Sequence, residues 1–162
     1  MSMGRRELFS SLTSSLKKED SKEKVIRPPY FENEEIFFTS CIECSEAPCS
    51  TACEENIIVM QEDKTPKLDL TISGCTYCDD CANACPNDVL LLEHKKNIDA
   101  KIEIDVLKCL SWNQTMCFSC KDPCLDDAID FLAMFRPEIN DKCTSCGYCI
   151  KSCPMDAIKI VK

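Results

Sequence analysis

Short apolar runs separated by cysteine-rich polar loops set the rhythm of this chain. The runs are Glu35–Thr39, Asn56–Met60, Lys67–Ile72, Val89–Glu93, Lys101–Val106, Ala128–Phe131, Pro137–Asn140 and Ala157–Val161. Each is rich in Ile, Val, Leu or Phe and of strand length, so each predicts a short strand. Gln61–Pro66 and Glu93–Ala100 are polar and predict turns between paired strands. Short helices are expected to start near the last cysteine of each loop, which makes the fold class α+β. Residues 1–27 read differently, as a polar, charge-mixed leader. There Leu8, Phe9, Leu12 and Leu16 recur at helical spacing and predict a short amphipathic helix. Pro28-Pro29 then marks a stiff lead-in, so the chain divides into a leader, 1–27, and a folded body, 28–162.

The loops carry the chemistry. Sixteen cysteines fall into four quartets, whose first members Cys41, Cys75, Cys109 and Cys143 recur every 34 residues. Cys75-x2-Cys78-x2-Cys81-x3-Cys85-Pro86 and Cys143-x2-Cys146-x2-Cys149-x3-Cys153-Pro154 are full matches to the bacterial ferredoxin run. The first quartet, Cys41-x2-Cys44-x4-Cys49-x3-Cys53, is stretched. The third, Cys109-x7-Cys117-x2-Cys120-x3-Cys124, has a long gap after its leading cysteine. A cubane cluster needs four thiolates converging on a compact, soft centre, and x2 spacings let a tight loop aim three sulfurs inward. In two-cluster ferredoxins the fourth cysteine ligates the neighbouring cluster. Up to four [4Fe–4S] clusters are therefore expected, with all sixteen cysteines as iron ligands and the second and fourth quartets best defined.

Competing readings of the cysteines fare worse. A disulfide framework requires an oxidising compartment, and no cleavable export signal is visible. Zinc usually takes two separated cysteine pairs, whereas four cysteines within 11 residues are too crowded for two zincs and too regular for one. Free core cysteines would not repeat at fixed spacing.

Without its sixteen cysteines, only about a third of the chain is ordinarily hydrophobic. A 34-residue unit is too small to hold itself together by burial, so clusters are expected to supply much of the folding free energy. Formal charge is −9, with +3 in residues 1–27 and −12 in the remainder. That acidic body argues against nucleic acid and for a protein partner with a basic docking patch. No stretch approaches 18 apolar residues, so no membrane span is expected. Arg5-Arg6 is followed by no apolar stretch, which disfavours twin-arginine export and points to the cytoplasm.

The remaining residues that could carry chemistry have plainer roles. His94 lies in the polar run Glu93–Asn97 and reads as part of a solvated turn. Tyr77, Trp112, Phe118 and Tyr148 read as packing around clusters, and Met60, Met116, Met134 and Met155 as gap-filling core. There is no glycine-rich phosphate loop and no nucleophile–His–acid set, so no enzymatic activity is expected.

Arg5-Arg6, the Arg27-Pro28-Pro29 lead-in and four quartets with the gap Cys109-x7-Cys117 together resemble the NapF family of ferredoxin-type proteins. The resemblance runs from Arg5 to about Val161. It implies a cytoplasmic iron–sulfur accessory protein that binds the catalytic molybdoenzyme subunit of periplasmic nitrate reductase before export. Its role there would be maturation, electron transfer, or both. It also implies cluster ligation by Cys75, Cys78, Cys81, Cys85, Cys143, Cys146, Cys149 and Cys153, and by Cys41, Cys44, Cys49 and Cys53. Here the x4 spacing and Glu54 in place of the usual proline depart from the pattern. The third quartet, Cys109, Cys117, Cys120 and Cys124, is followed by Leu125. The alternative is a general low-potential polyferredoxin with other electron-transfer partners. Quartets could pair sequentially, as in tandem ferredoxins, or nested, first with fourth and second with third. Glu93–Ala100 offers a turn between quartets two and three, while the link from Cys124 to Cys143 lacks a clear one, which inclines the reading to nesting.

Overall fold

The computed structural model describes residues 25–161. The leader's helix and Arg5-Arg6 lie outside them. Two modules follow one another in the chain, each built from two cysteine quartets and the hairpin between them.

In the first module, strand β1 (Ile58–Met60) pairs antiparallel with β2 (Pro66–Leu68), as the alternation and the Gln61–Pro66 turn predict. Ile58 and Leu68 point inward and are buried. The stretch Glu35–Thr39, expected as a strand, lies in helix α1 (Glu35–Ser40). Its apolar residues are consecutive, which fits either period. The Asn33 side chain accepts a hydrogen bond from the Ile36 N–H at 3.2 Å, and that capping tips the balance to helix. Phe37 is then the one fully buried residue of α1, its ring 5.1 Å from that of Phe31.

The second module has two antiparallel pairs. Strand β3 (Lys101–Ile104) precedes the third quartet and pairs with β6 (Ile158–Val161), which follows the fourth. Strands β4 (Ile129–Leu132) and β5 (Phe135–Ile139) form the hairpin between those quartets. Ala133 and Met134 turn it with φ of +50° and +67°, the two positive values of a type I′ turn. Asn-Gly normally advertises that turn, and its absence is why the link from Cys124 to Cys143 looked turnless.

The first module lacks a counterpart to the β3–β6 ladder, and prolines explain it. The equivalent segments are Pro28–Phe31 and Val89–Leu91. The Leu91 N–H donates to the Tyr30 carbonyl at 2.8 Å, and the Lys96 N–H to that of Pro29 at 2.9 Å. Pro28 and Pro29 have no N–H with which to reciprocate. Val89–Glu93 therefore is not a strand. Val89 and Leu90 are buried as irregular chain, and Leu92–His94 is a 3-10 turn. Nor does Glu93–Ala100 join paired strands, since β3 pairs with β6 instead.

Ile26 and Arg27, assigned to the leader by composition, are packed into the first module. The Leu68 N–H donates to the Ile26 carbonyl at 2.8 Å. The buried Arg27 guanidinium lies 4.8 Å from the Phe37 ring centre and donates to Thr65 Oγ1 at 2.8 Å and the Pro66 carbonyl at 2.7 Å. Among the described residues no helix is long and apolar enough to cross a membrane.

Candidate iron–sulfur centres

Three short helices place cysteines. Helix α2 (Pro48–Thr51) carries Cys49, α3 (Asp80–Asn83) carries Cys81 and α4 (Tyr148–Ser152) carries Cys149. Each is the third cysteine of its quartet, and each helix ends just before the fourth rather than starting there. The residue before each helix, Ala47, Asp79 or Gly147, is left-handed with φ of +45°, +71° or +91°. That reversal turns the chain sharply into the helix. In the first quartet, Pro48 occupies the first helical turn, where its missing N–H costs nothing. The two additional residues of the x4 spacing, Ser45 and Glu46, form a bend ahead of Ala47, outside the helix. The third quartet has turns where the others have a helix.

After every fourth cysteine the chain does the same thing. Asn56, Asp88, Asp127 and Asp156 stand three residues beyond Cys53, Cys85, Cys124 and Cys153, with φ of +55°, +54°, +49° and +48°. Asn and Asp are the side-chain-bearing residues that enter this left-handed region most readily. The next residue, Ile57, Val89, Ala128 or Ala157, is then buried, at 2% exposure or less. In two cases its N–H also donates to the cysteine sulfur: Ala128 to Cys124 Sγ and Ala157 to Cys153 Sγ, both at 3.3 Å. The repeat Cys-x-x-Asx-apolar is legible in the sequence and went unread there. It reproduces the turn after Cys53 and Cys124 without the proline found after Cys85 and Cys153.

The long gap of the third quartet closes on itself. The Asn113 side-chain amide donates to the Cys109 carbonyl at 2.8 Å, and the Thr115 N–H to the Leu110 carbonyl at 3.0 Å. Ser111 Oγ donates to the Cys117 carbonyl at 3.2 Å. Trp112 anchors the loop to the hairpin through Nε1 and the Pro137 carbonyl, at 3.2 Å. Cys117 is thereby brought back beside Cys109.

Four cavities result, each lined by four cysteines. Cys41, Cys44 and Cys49 meet Cys85 in the first, and Cys75, Cys78 and Cys81 meet Cys53 in the second. Cys109, Cys117 and Cys120 meet Cys153 in the third, and Cys143, Cys146 and Cys149 meet Cys124 in the fourth. Every quartet gives its fourth cysteine to its neighbour, so pairing is sequential, first with second and third with fourth. The inclination to nesting is corrected. It rested on a missing turn signal that the Ala133–Met134 turn supplies by other residues.

The cages are alike in size, about 370, 390, 340 and 340 Å³ with their open mouths included. Among the described residues no three His, Cys, Asp or Glu side chains converge closely enough for one metal ion. Thiols that ring a space are wrong for mononuclear zinc, whose sulfurs all lie about 2.3 Å from one centre. They suit a polynuclear cluster. Burial pushes the thiols of Cys41, Cys49, Cys75 and Cys120 up to about 11, and those of Cys81 and Cys149 up to about 12. Neighbouring cysteines add to the shift, since two thiolates in one cage repel. Such a cage gathers negative charge only around a compensating positive centre, and metal loading must release protons.

The other residues singled out in the sequence take varied places around the modules. Phe118 packs on Phe131 with ring centres 4.7 Å apart. Tyr77 and Tyr148 hydrogen-bond between modules, the first to the Thr144 carbonyl at 2.6 Å and the second to Glu55 at 2.9 Å. His94 sits on a surface turn, 3.7 Å from Glu93. The methionines depart from expectation: Met116, Met134 and Met155 are exposed, and Met60 and Met155 edge the first and third cages.

Comparison with known proteins agrees with this geometry. Residues 40–89, which hold the first two quartets, match the 4Fe-4S dicluster domain family, and residues 137–159 match the 4Fe-4S binding domain family. The chain is 33% identical to the ferredoxin-type protein NapF of Escherichia coli (strain K12), over 82% of each chain. It is 30% identical to NapF of Haemophilus influenzae (strain ATCC 51907 / DSM 11121 / KW20 / Rd), over 82% of this chain and 77% of that one. It is 29% identical to the ferredoxin-type protein NapG of Escherichia coli (strain K12), over 84% of this chain and 70% of the relative. Multiple [4Fe–4S] clusters are what these cages are built to carry, and the chain belongs to the NapF family of ferredoxin-type iron–sulfur proteins.

Proposed function

We propose that the four cages hold four [4Fe–4S] clusters, one on each set of four cysteines described above. We propose further that the protein is a cytoplasmic accessory factor for the catalytic molybdoenzyme subunit of periplasmic nitrate reductase, binding it before export and supporting its maturation by supplying electrons. The observation that carries this reading is the set of four complete cages in a chain whose relatives are NapF proteins. Bound clusters would supply one-electron redox chemistry, over a range of potentials spanning roughly −700 to +450 mV across proteins. The residues of the chain do the rest. Sixteen thiols fix the clusters, backbone N–H groups such as those of Ala128 and Ala157 point at cysteine sulfur, and Phe131, backed by Phe118, packs against the core that holds Cys120 and Cys149. The acidic body keeps the protein in solution and orients a basic partner surface.

Capture of the catalytic-subunit precursor from cytoplasm by tagged protein tests the partner, with Arg5→Ala/Arg6→Ala as the variant. Association that weakens in the variant is expected. Failure of both forms to bind would remove the docking role. A general electron carrier is the second reading, favoured by the exposure of Cys78, which brings the second cage to the surface. Fast reduction and reoxidation with unrelated donors and acceptors, without precursor binding, would decide for it.

A further inference from the structure

The two modules meet at their cages. The Cys75 N–H, in the second cage, donates to the Cys146 carbonyl, in the fourth, at 2.7 Å. One backbone hydrogen bond therefore joins a cysteine of one cage to a cysteine of the other.

Everything around that bond holds the modules close. The chain has three glycines, and the two within the described residues both stand at this junction. A Cβ on Gly74 would lie 2.5 Å from the Tyr148 ring, and one on Gly147 would lie 2.9 Å from Leu70 Cβ. Each glycine thus lets the opposite module approach to a distance that any other residue would prevent. Two tyrosines lock the contact in reciprocal fashion. Tyr77, of the first module, donates to the Thr144 carbonyl at 2.6 Å and accepts from the Ile98 N–H at 3.1 Å. Tyr148, of the second, donates to Glu55 at 2.9 Å, and Glu55 also accepts from Ser73.

We propose that the Cys75–Cys146 hydrogen bond is the route by which electrons cross between modules, which makes the four cages one series: first, second, fourth, third. The proposal rests on the cages holding clusters as argued above. With clusters bound, one electron would pass from the cage of Cys53, Cys75, Cys78 and Cys81 to that of Cys124, Cys143, Cys146 and Cys149, the donor being oxidised by one and the acceptor reduced by one. No covalent bond forms or breaks and no proton moves. A one-electron donor feeds the series and a one-electron acceptor drains it. Gly74, Gly147, Tyr77 and Tyr148 act as positioning residues.

The test is electron paramagnetic resonance of the anaerobic holoprotein, fully reduced with dithionite, beside iron and sulfide assays. Four clusters per chain whose spins interact across all four cages are expected. The Gly74→Ala variant should retain four clusters, because its backbone conformation is open to alanine, but its spectrum should narrow towards that of two independent pairs. Tyr148→Phe keeps the ring and loses the bond to Glu55, and should narrow the spectrum less. Wild-type protein with four clusters in two magnetically isolated pairs would overturn the junction while leaving the clusters intact. Fewer than four clusters in wild type would overturn the reading of the cages, and the junction with it. Should Gly74→Ala lose clusters, the wild-type spectrum alone decides between a joined series and isolated pairs.

Discussion

The two modules repeat one plan and are held together differently. In the first, Tyr30, Phe31, Phe37, Ile57, Ile58, Leu68, Leu70, Val89 and Leu90 form a continuous buried cluster that takes in one cysteine, Cys81, with Arg27 closing one side. In the second, the buried cluster is only Ile102, Ile129 and Ile158 with Cys120 and Cys149, so two of its five residues are cysteines. Its surface is also more apolar: Leu107 and Leu125 are 86% and 88% exposed, and Met116, Leu132 and Met134 are exposed as well. A protein core can stand for some time without its cofactor. A core of five residues, two of them ligands, cannot. Cluster loading is therefore expected to be a folding step for the second module and more of an addition for the first.

Removal of iron by anaerobic chelation should separate the modules most strongly. Amide exchange is expected to accelerate throughout β3 to β6, while β1 and β2 retain part of their protection. Equal loss in both would break the comparison. A Cys53→Ala change comes next. It should deplete the second cage, although Cys53 belongs to the first quartet, and Mössbauer spectra of the variant should show the remaining cubanes undisturbed. Depletion of the first cage instead would restore independent quartets, and depletion of the fourth would restore nesting. Phe37→Ala removes a side chain with 0% exposure and should cost about 3–5 kcal/mol. In thermal unfolding that loss should fall on the first module alone. The smallest effect is expected from Asp156→Ala, where the left-handed backbone after Cys153 is harder for alanine by about 1 kcal/mol. Asp156→Gly should recover it, and denaturant titration checks both.

Much of this was readable in the chain. The quartets named every cysteine that lines the four cages, and six of the eight predicted strands overlap β1 to β6. What escaped depended on partners or on backbone conformation. Glu35–Thr39 has no period to choose helix from strand, and the Asn33 cap decided it. Val89–Glu93 has strand composition, but its neighbour in space is Pro28-Pro29, which cannot complete a ladder. The Ala133–Met134 turn adopts left-handed φ at residues that seldom announce it. The Asx three residues after each fourth cysteine was visible throughout. Its meaning emerges only when four left-handed turns are seen to bury the residue that follows.

The central claim is that four quartets, exchanging their fourth cysteines in sequential pairs, make four cluster cages. Iron and acid-labile sulfide in anaerobically purified protein test it most directly. About sixteen of each per chain are expected, four cubanes' worth. A value near eight, or zinc without sulfide, would contradict it.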